Sequence, residues 1–275
     1  IEFIQFDVHG HLDPATYEFL DLALEGDGRF VVPGFYGASP DGQVQTFGRG
    51  GSDVTGSVVA RAVGSSLYEN WTDVSGFRMT DPRIVPNARR IEEITYSELR
   101  ELAYMGASVV HDEAIFPLLE PGIPINIRNT HDPENNGTMI VPDRDAEHPV
   151  CGIAARSGFS MINIEKTLMN RELGFALKAL TVLKDNGINF EHMPTGIDTM
   201  SIIVKDEELG TQGDAIVESI KEICRTELVS LSSGLALIAT VGKAMNHHVG
   251  VAKILCAALS DDAKVNIRVI DQGSS

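Results

Sequence analysis

Two short clusters carry residue types able to handle a small charged molecule. In Gly48-Arg49-Gly50-Gly51-Ser52-Asp53 consecutive glycines let backbone N–H groups converge, and a following helix start adds partial positive charge there. Arg49 supplies a guanidinium that grips a carboxylate or phosphate bidentately, and Asp53 can meet an ammonium group. A cation and an anion side by side suit a zwitterionic amino acid. A glycine-rich turn with Ser52 as helix cap explains the same residues equally well, because short glycine motifs are unspecific. The second cluster runs from Trp71 to Arg83. Thr72 and Asp73 stand where a predicted strand ends, the edge at which open α/β sheets bind ligands. Arg83, fixed after Pro82, can reach nucleotide phosphates. A polar loop in which Asp81 caps a turn and Arg83 pairs with a surface acid is the plainer alternative.

The elements that must position these clusters alternate. Arg29–Phe35 is predicted as a short buried strand, Pro40-Asp41-Gly42 as a hairpin turn, and Gln43–Phe47 as the returning strand. Val54, Val58 and Ala62 recur at helical spacing until Gly64. Leu67–Trp71 is the next strand, and Thr95-x-x-Glu98 is a capping box opening a helix with Leu99, Leu102 and Ala103 on its buried stripe. This order argues for an α/β unit with a largely parallel sheet. The proline-bounded stretch Pro142–Pro149 changes texture and marks a linker, placed at 143–157. Beyond it lies an internal repeat: Gly174-Phe175-Ala176 recurs as Gly250-Val251-Ala252 and Met169-Asn170 as Met245-Asn246, about 76 residues on. In each copy a strand precedes the helix (Met161–Glu165, Leu235–Val241) and another follows it (Ile188–Phe190, Val265–Ile267). Each copy suggests a ferredoxin-like βαββαβ unit, at 158–233 and, incomplete, at 234–275.

Composition narrows the classes. The chain has 275 residues, 43% hydrophobic and 22% charged, with a formal net charge of −17. Such a chain has apolar side chain enough for a sizeable core. Its acidity argues against a general nucleic-acid surface, which needs a cationic face. No apolar run reaches the roughly 18–20 residues of a membrane helix, and no secretory leader is visible at Ile1-Glu2-Phe3-Ile4. Cys151, Cys224 and Cys256 are few, odd in number and far apart, which suits free thiols in a reducing, cytoplasmic setting. Asp7-Val8-His9-Gly10-His11-Leu12-Asp13 superficially suggests a metal site but reads better as a polar turn, and His247-His248 as an exposed pair; no metal ligand set is assigned.

Five ordered motifs then carry a resemblance: Thr46–Asp53, Trp71–Gly76, Thr80–Arg83, Glu101–Ala107 and Ile123–Thr130. Together they closely resemble the aspartokinase family of the amino acid kinase superfamily, in its monofunctional, lysine-sensitive form, with the repeat resembling paired ACT domains. The resemblance implies the later part of the kinase domain at 1–142, and ATP- and Mg2+-dependent phosphorylation of L-aspartate to 4-phospho-L-aspartate, the first step toward lysine, threonine and methionine. It places Arg49, Ser52 and Asp53 around aspartate, and Thr72, Asp73 and Arg83 along ATP. Phosphoryl transfer needs positioning and charge stabilisation, and a carboxylate nucleophile is already ionised at pH 7.

Three departures stand out. Ser108 occupies a family lysine position, Arg78 a family tyrosine position, where it can restore positive charge, and no Lys-Phe-Gly-Gly phosphate loop precedes Ile1. The segment by itself is therefore expected not to turn over, and a purely regulatory, amino-acid-binding and dimerising fragment is the alternative. For the repeat, the resemblance implies an amino-acid effector, lysine in the first instance, held by Met169, Gly174, Phe175, Phe190, Glu191, Thr195 and Asp198, with homodimers or dimers of dimers through the ACT units. The second-copy counterparts are expected to serve packing between repeats.

Overall fold

Residues 3–106, 112–145 and 148–270 are described by the computed structural model of this chain. They form two units. One runs to Ala154 and takes in Ala239–His248; the other comprises Ala155–Ile238 and resumes at Val249.

In the first unit, α1 (Ala15–Ala23) precedes an antiparallel hairpin of β1 (Tyr36–Ala38) and β2 (Val44–Thr46). Gly42 closes the turn at φ 80°, a conformation that suits a residue without a Cβ. The strand predicted at Arg29–Phe35 does not form. Val31 is 98% exposed, and among the described residues only Phe35 bonds onward, its carbonyl accepting from Phe47 N–H at 2.9 Å. A β-prone run becomes a strand only beside a ladder partner, and 29–34 has none among the described residues.

After the hairpin come α2 (Gly51–Ala62), β3 (Tyr68–Thr72), β4 (Glu93–Thr95), α3 (Tyr96–Tyr104), α4 (Asp112–Leu119), β5 (Ile125–Asn129) and β6 (Thr138–Val141). The sheet order is β3-β5-β6-β4. β3 runs parallel to β5 and β4 to β6, but β5 and β6 are antiparallel. The sheet is thus mixed where a largely parallel one was expected, because the link from Asn129 to Thr138 is too short for a parallel crossover. Val54 and Val58 of α2, Leu99 of α3, Leu118 of α4 and Ile125, Ile127 and Ile140 of the strands share one core. The capping box forms as predicted: Glu98 N–H donates to Thr95 Oγ1 at 3.2 Å and Thr95 N–H to Glu98 Oε2 at 2.9 Å.

The second unit is built from β7 (Gly152–Glu165), α5 (Phe175–Asp185), β8 (Phe190–His192), β9 (Thr199–Lys205), the single turn α6 (Asp206–Leu209), α7 (Gly213–Cys224) and β10 (Leu228–Val241), followed by α8 (Val251–Ala257). Strand order β10-β7-β9-β8, with β9 antiparallel to β7 and β8, gives one βαββαβ unit. Its core joins Ile162 and Ile164 to Ala179, Ile202, Val204, Ile216 and Ile220.

The repeat holds in geometry as far as the start of its helix. β7 and β10 are each 14 residues and begin 76 apart. Each is followed by a left-handed residue (Leu168, φ 60°; Ala244, φ 56°), a 3-10 turn (Met169–Arg171; Met245–His247) and a left-handed glycine opening a helix (Gly174, φ 75°; Gly250, φ 100°). The boundary expected at 233/234 falls inside β10, since that strand closes the first copy while starting the second. The expected linker 143–157 likewise contains the start of β7. No strand forms at Val265–Ile267; Val265 is half exposed and its N–H turns back to Leu259 O at 2.8 Å.

Candidate functional site

The Gly48–Gly50 turn is built to present the start of α2. Gly50 adopts φ 79° as the residue before the helix, Gly51 N–H returns to Gly48 O at 3.1 Å, and Asp53 N–H to Gly50 O at 2.9 Å. Gly51 is packed so tightly that a Cβ there would stand 2.5 Å from Phe47 Cβ. Thr55 locks the turn from behind, its Oγ1 donating to Gly51 O (2.9 Å) and accepting from Phe35 N–H (3.0 Å). Arg49 and Ser52 are consequently exposed, and Asp53 half-buried.

The turn is tied to β3. Tyr68 hydroxyl donates to Asp53 O at 3.2 Å and accepts from Asn70 Nδ2 at 3.3 Å. Burial raises the Tyr68 phenol pKa, and the nearby Asp53 carboxylate adds to the rise. The same strand ends at Thr72, whose carbonyl accepts from Thr130 N–H (2.8 Å) and Thr130 Oγ1 (3.0 Å). Thr72 Oγ1 donates to Asp73 Oδ1 at 3.2 Å, and Asn129 Nδ2 to Ser75 Oγ at 2.8 Å. The parallel strands β3 and β5 therefore end together in one polar rim. Beside it Arg128 lies 4.9 Å over the ring of Trp71 and pairs with Glu69 at 3.3 Å. Tyr68, Asn129 and Thr130 received no role from the sequence; the signal available was the Ile123–Thr130 motif itself.

Two predicted nucleotide-contacting arginines are engaged internally. Arg83 grips Asp81 in a fork (Nε to Oδ1, 3.0 Å; Nη2 to Oδ2, 2.7 Å), holding the Asp81 carboxyl below its usual range. That is the plainer alternative stated for this loop, and any phosphate must share or displace the fork. Arg78 Nη1 donates to Ala88 O at 2.8 Å. Ser108 lies outside the described residues. Asp7 accepts from His9 and His11 N–H, each at 2.8 Å, which makes 7–13 a hydrogen-bonded turn.

In the βαββαβ unit, Met169 and Phe175 are buried core residues, and Lys166 Nζ lies 5.5 Å from the Phe175 ring. Asp198 accepts Leu168 N–H at its Oδ1 (2.8 Å) and Lys166 N–H at its carbonyl (2.8 Å), binding the turn before α5 to the loop before β9. Thr195, in that loop, bridges to Met200 of β9. Glu191 is largely buried and paired with Lys205 at 2.8 Å. Glu172 is clamped by Lys166 (2.7 Å) and Lys178 (2.5 Å), which lower its carboxyl pKa to about 2. Phe190 is half exposed and lines a groove of about 380 Å³ with Leu177, Thr181 and Lys184.

Residues 5–129 match the family model described as the amino acid kinase family. The stretch 7–13, read from the sequence as a polar turn, lies inside the matched residues. Aspartokinase 3 of Bacillus subtilis is 45% identical over 264 residues, covering 95% of this chain and 58% of its own length. This chain is aspartokinase-like. Its fold agrees: the crystal structure of Clostridium acetobutylicum aspartate kinase superposes with a TM-score of 0.89 at 47% identity, over 99% of this chain and 63% of that one. Escherichia coli aspartokinase III, solved in complex with aspartate and ADP, gives 0.69 at 28% identity, over 100% of this chain and 63% of that one; its complex with lysine and aspartate gives 0.70. The aspartokinase-like chain thus spans about three fifths of the length of these relatives.

Proposed function

We propose that this chain acts in ATP-dependent phosphorylation of L-aspartate. The observation that carries the reading is the Tyr68–Asp53 bond, which ties the Arg49–Asp53 turn to the strand ending at Thr72-Asp73; its support is the similarity to aspartokinases at 45–47% identity. Arg49 takes an aspartate carboxylate and Asp53 its ammonium, with Ser52 beside them at the helix start. The substrate's side-chain carboxylate attacks the γ-phosphorus, the bond to the β,γ-bridging oxygen breaks, and ADP leaves with that electron pair, giving 4-phospho-L-aspartate. Thr72, Asp73, Arg78 and Arg83 flank the nucleotide.

Mg2+ suits such a rim. It binds through one or two carboxylates plus substrate phosphates, and Asp73 offers an exposed carboxylate that accepts from the Thr72 hydroxyl. Bound with ATP, the ion neutralises phosphate charge.

The βαββαβ repeat is read as an ACT pair that binds an amino-acid effector at the turn before α5 and pairs with a second copy of the chain. The lysine complex of the E. coli relative supports lysine as the first effector to test. Effector binding that favours one arrangement over another shifts the kinase equilibrium by linkage. Calorimetric titration of Mg-ADP into the chain tests the nucleotide side. Saturable one-site binding weakened by Arg83→Ala is expected; absence of any heat of binding overturns the reading.

A further inference from the structure

The two copies of the repeat share one backbone path but spend their turns differently. In the first copy Lys166 reaches Glu172 (2.7 Å) and Cys224 O (2.7 Å), closing its turn on its own unit. The residues 76 positions later are Gly242 and His248, which cannot make that pair. Instead Ala239–His248 fold with the kinase-type unit. Cys151 N–H donates to Val241 O at 2.9 Å. Gly242 lies so close to the chain that a Cβ would stand 1.7 Å from Pro149 O and 2.9 Å from Val150 Cα. Lys243 Nζ then donates to Arg144 O and, at 2.5 Å, to Asp143 Oδ1.

Arg144 carries the contact inward. Its side chain is 8% exposed and forks onto Glu98, Nε to Oε2 at 2.9 Å and Nη2 to Oε1 at 2.5 Å. Glu98 is the capping-box residue of α3 and also takes Thr95 N–H and Oγ1, each at 2.9 Å. A buried ion pair with all its acceptors engaged has one geometry, so whatever fixes the Arg144 backbone fixes the first turn of α3.

We propose that Lys243 is a positioning residue: the turn of the second copy is a latch that holds the capping end of α3 through Arg144.

Amide hydrogen exchange over 95–99 in the full chain tests the latch without any ligand. Exchange in this turn should quicken about tenfold in Lys243→Ala and in Gly242→Ala, return to within twofold of wild type in Lys243→Arg, and stay unchanged in Asp143→Asn, whose carboxylate is largely solvated. Unchanged exchange in Lys243→Ala, or no rescue by arginine, overturns the proposal.

Discussion

Tyr68 and Asp53 are joined side chain to main chain, the phenol donating 3.2 Å to the carbonyl in the first turn of α2. The bond matters because the strand that carries Tyr68 ends four residues later at Thr72, so the helix start and the strand end are registered against one another. Gly56 makes room for the phenol: a Cβ there would stand 2.5 Å from Tyr68 Oη.

Tyr68→Phe removes the donor and leaves Asn70 Nδ2, on a residue 7% exposed, without its acceptor. The expected loss is about 1–2 kcal/mol of stability, read by urea denaturation. Gly56→Ala should cost at least as much, because the helix above β3 must shift.

The buried pair of Glu98 and Arg144 predicts both a mutational and a pH effect. Burial alone would raise the Glu98 carboxyl, but the Arg144 fork and the two Thr95 donors outweigh it and hold the pKa below the usual range. A lowered folded-state pKa means the linked stability is present above the unfolded value near 4.5 and is lost as pH falls through the folded value. Glu172 behaves the same way over the window from 4.5 down to about 2. Glu98→Gln strands a buried guanidinium and should cost about 3 kcal/mol. Melting curves from pH 7 to pH 3 should fall less steeply in that variant than in wild type.

The thiols predict an order of labelling. Burial pushes the Cys151 thiol up to about 12 and raises that of Cys224, whereas Cys256 is partly exposed. The thiolate is the reactive form. A maleimide at neutral pH should label Cys256 first, with Cys151 and Cys224 following only on denaturation; mass spectrometry of the labelled peptides checks this.

Trp71 is the single tryptophan and precedes Thr72 directly. Its ring is covered on one side by Arg128 at 4.9 Å. Arg128→Ala should shift its emission to the red as that cover is lost, and Mg-ADP should change its intensity in wild type.

Local chemistry was legible in the sequence, and long-range pairing was not. The α2 periodicity of Val54 and Val58, the Thr95–Glu98 box and the repeated Met-Asn and Gly positions each depend on residues a few places apart, and each stands where the sequence put it. Arg29–Phe35 misled because β-propensity names a strand without supplying the neighbour that makes one. The antiparallel β5–β6 pair and the reach of Lys243 to Arg144, 99 residues back, follow from tertiary packing, which periodicity does not encode. The site residues fared similarly. Ser52 and Asp53 lie in the first turn of α2, but left-handed Gly50 takes the cap position expected of Ser52, Arg83 turns to Asp81, and Phe175 belongs to the core.

The most direct test of the central claim is calorimetric titration of L-aspartate into the chain in the presence of Mg-ADP, comparing wild type with Arg49→Ala. Arg49 is exposed at the turn before α2, so its removal leaves the fold in place. Aspartate affinity should fall at least tenfold in Arg49→Ala while ADP affinity stays within twofold; equal aspartate affinity in the two proteins would rule out Arg49 as the carboxylate's partner.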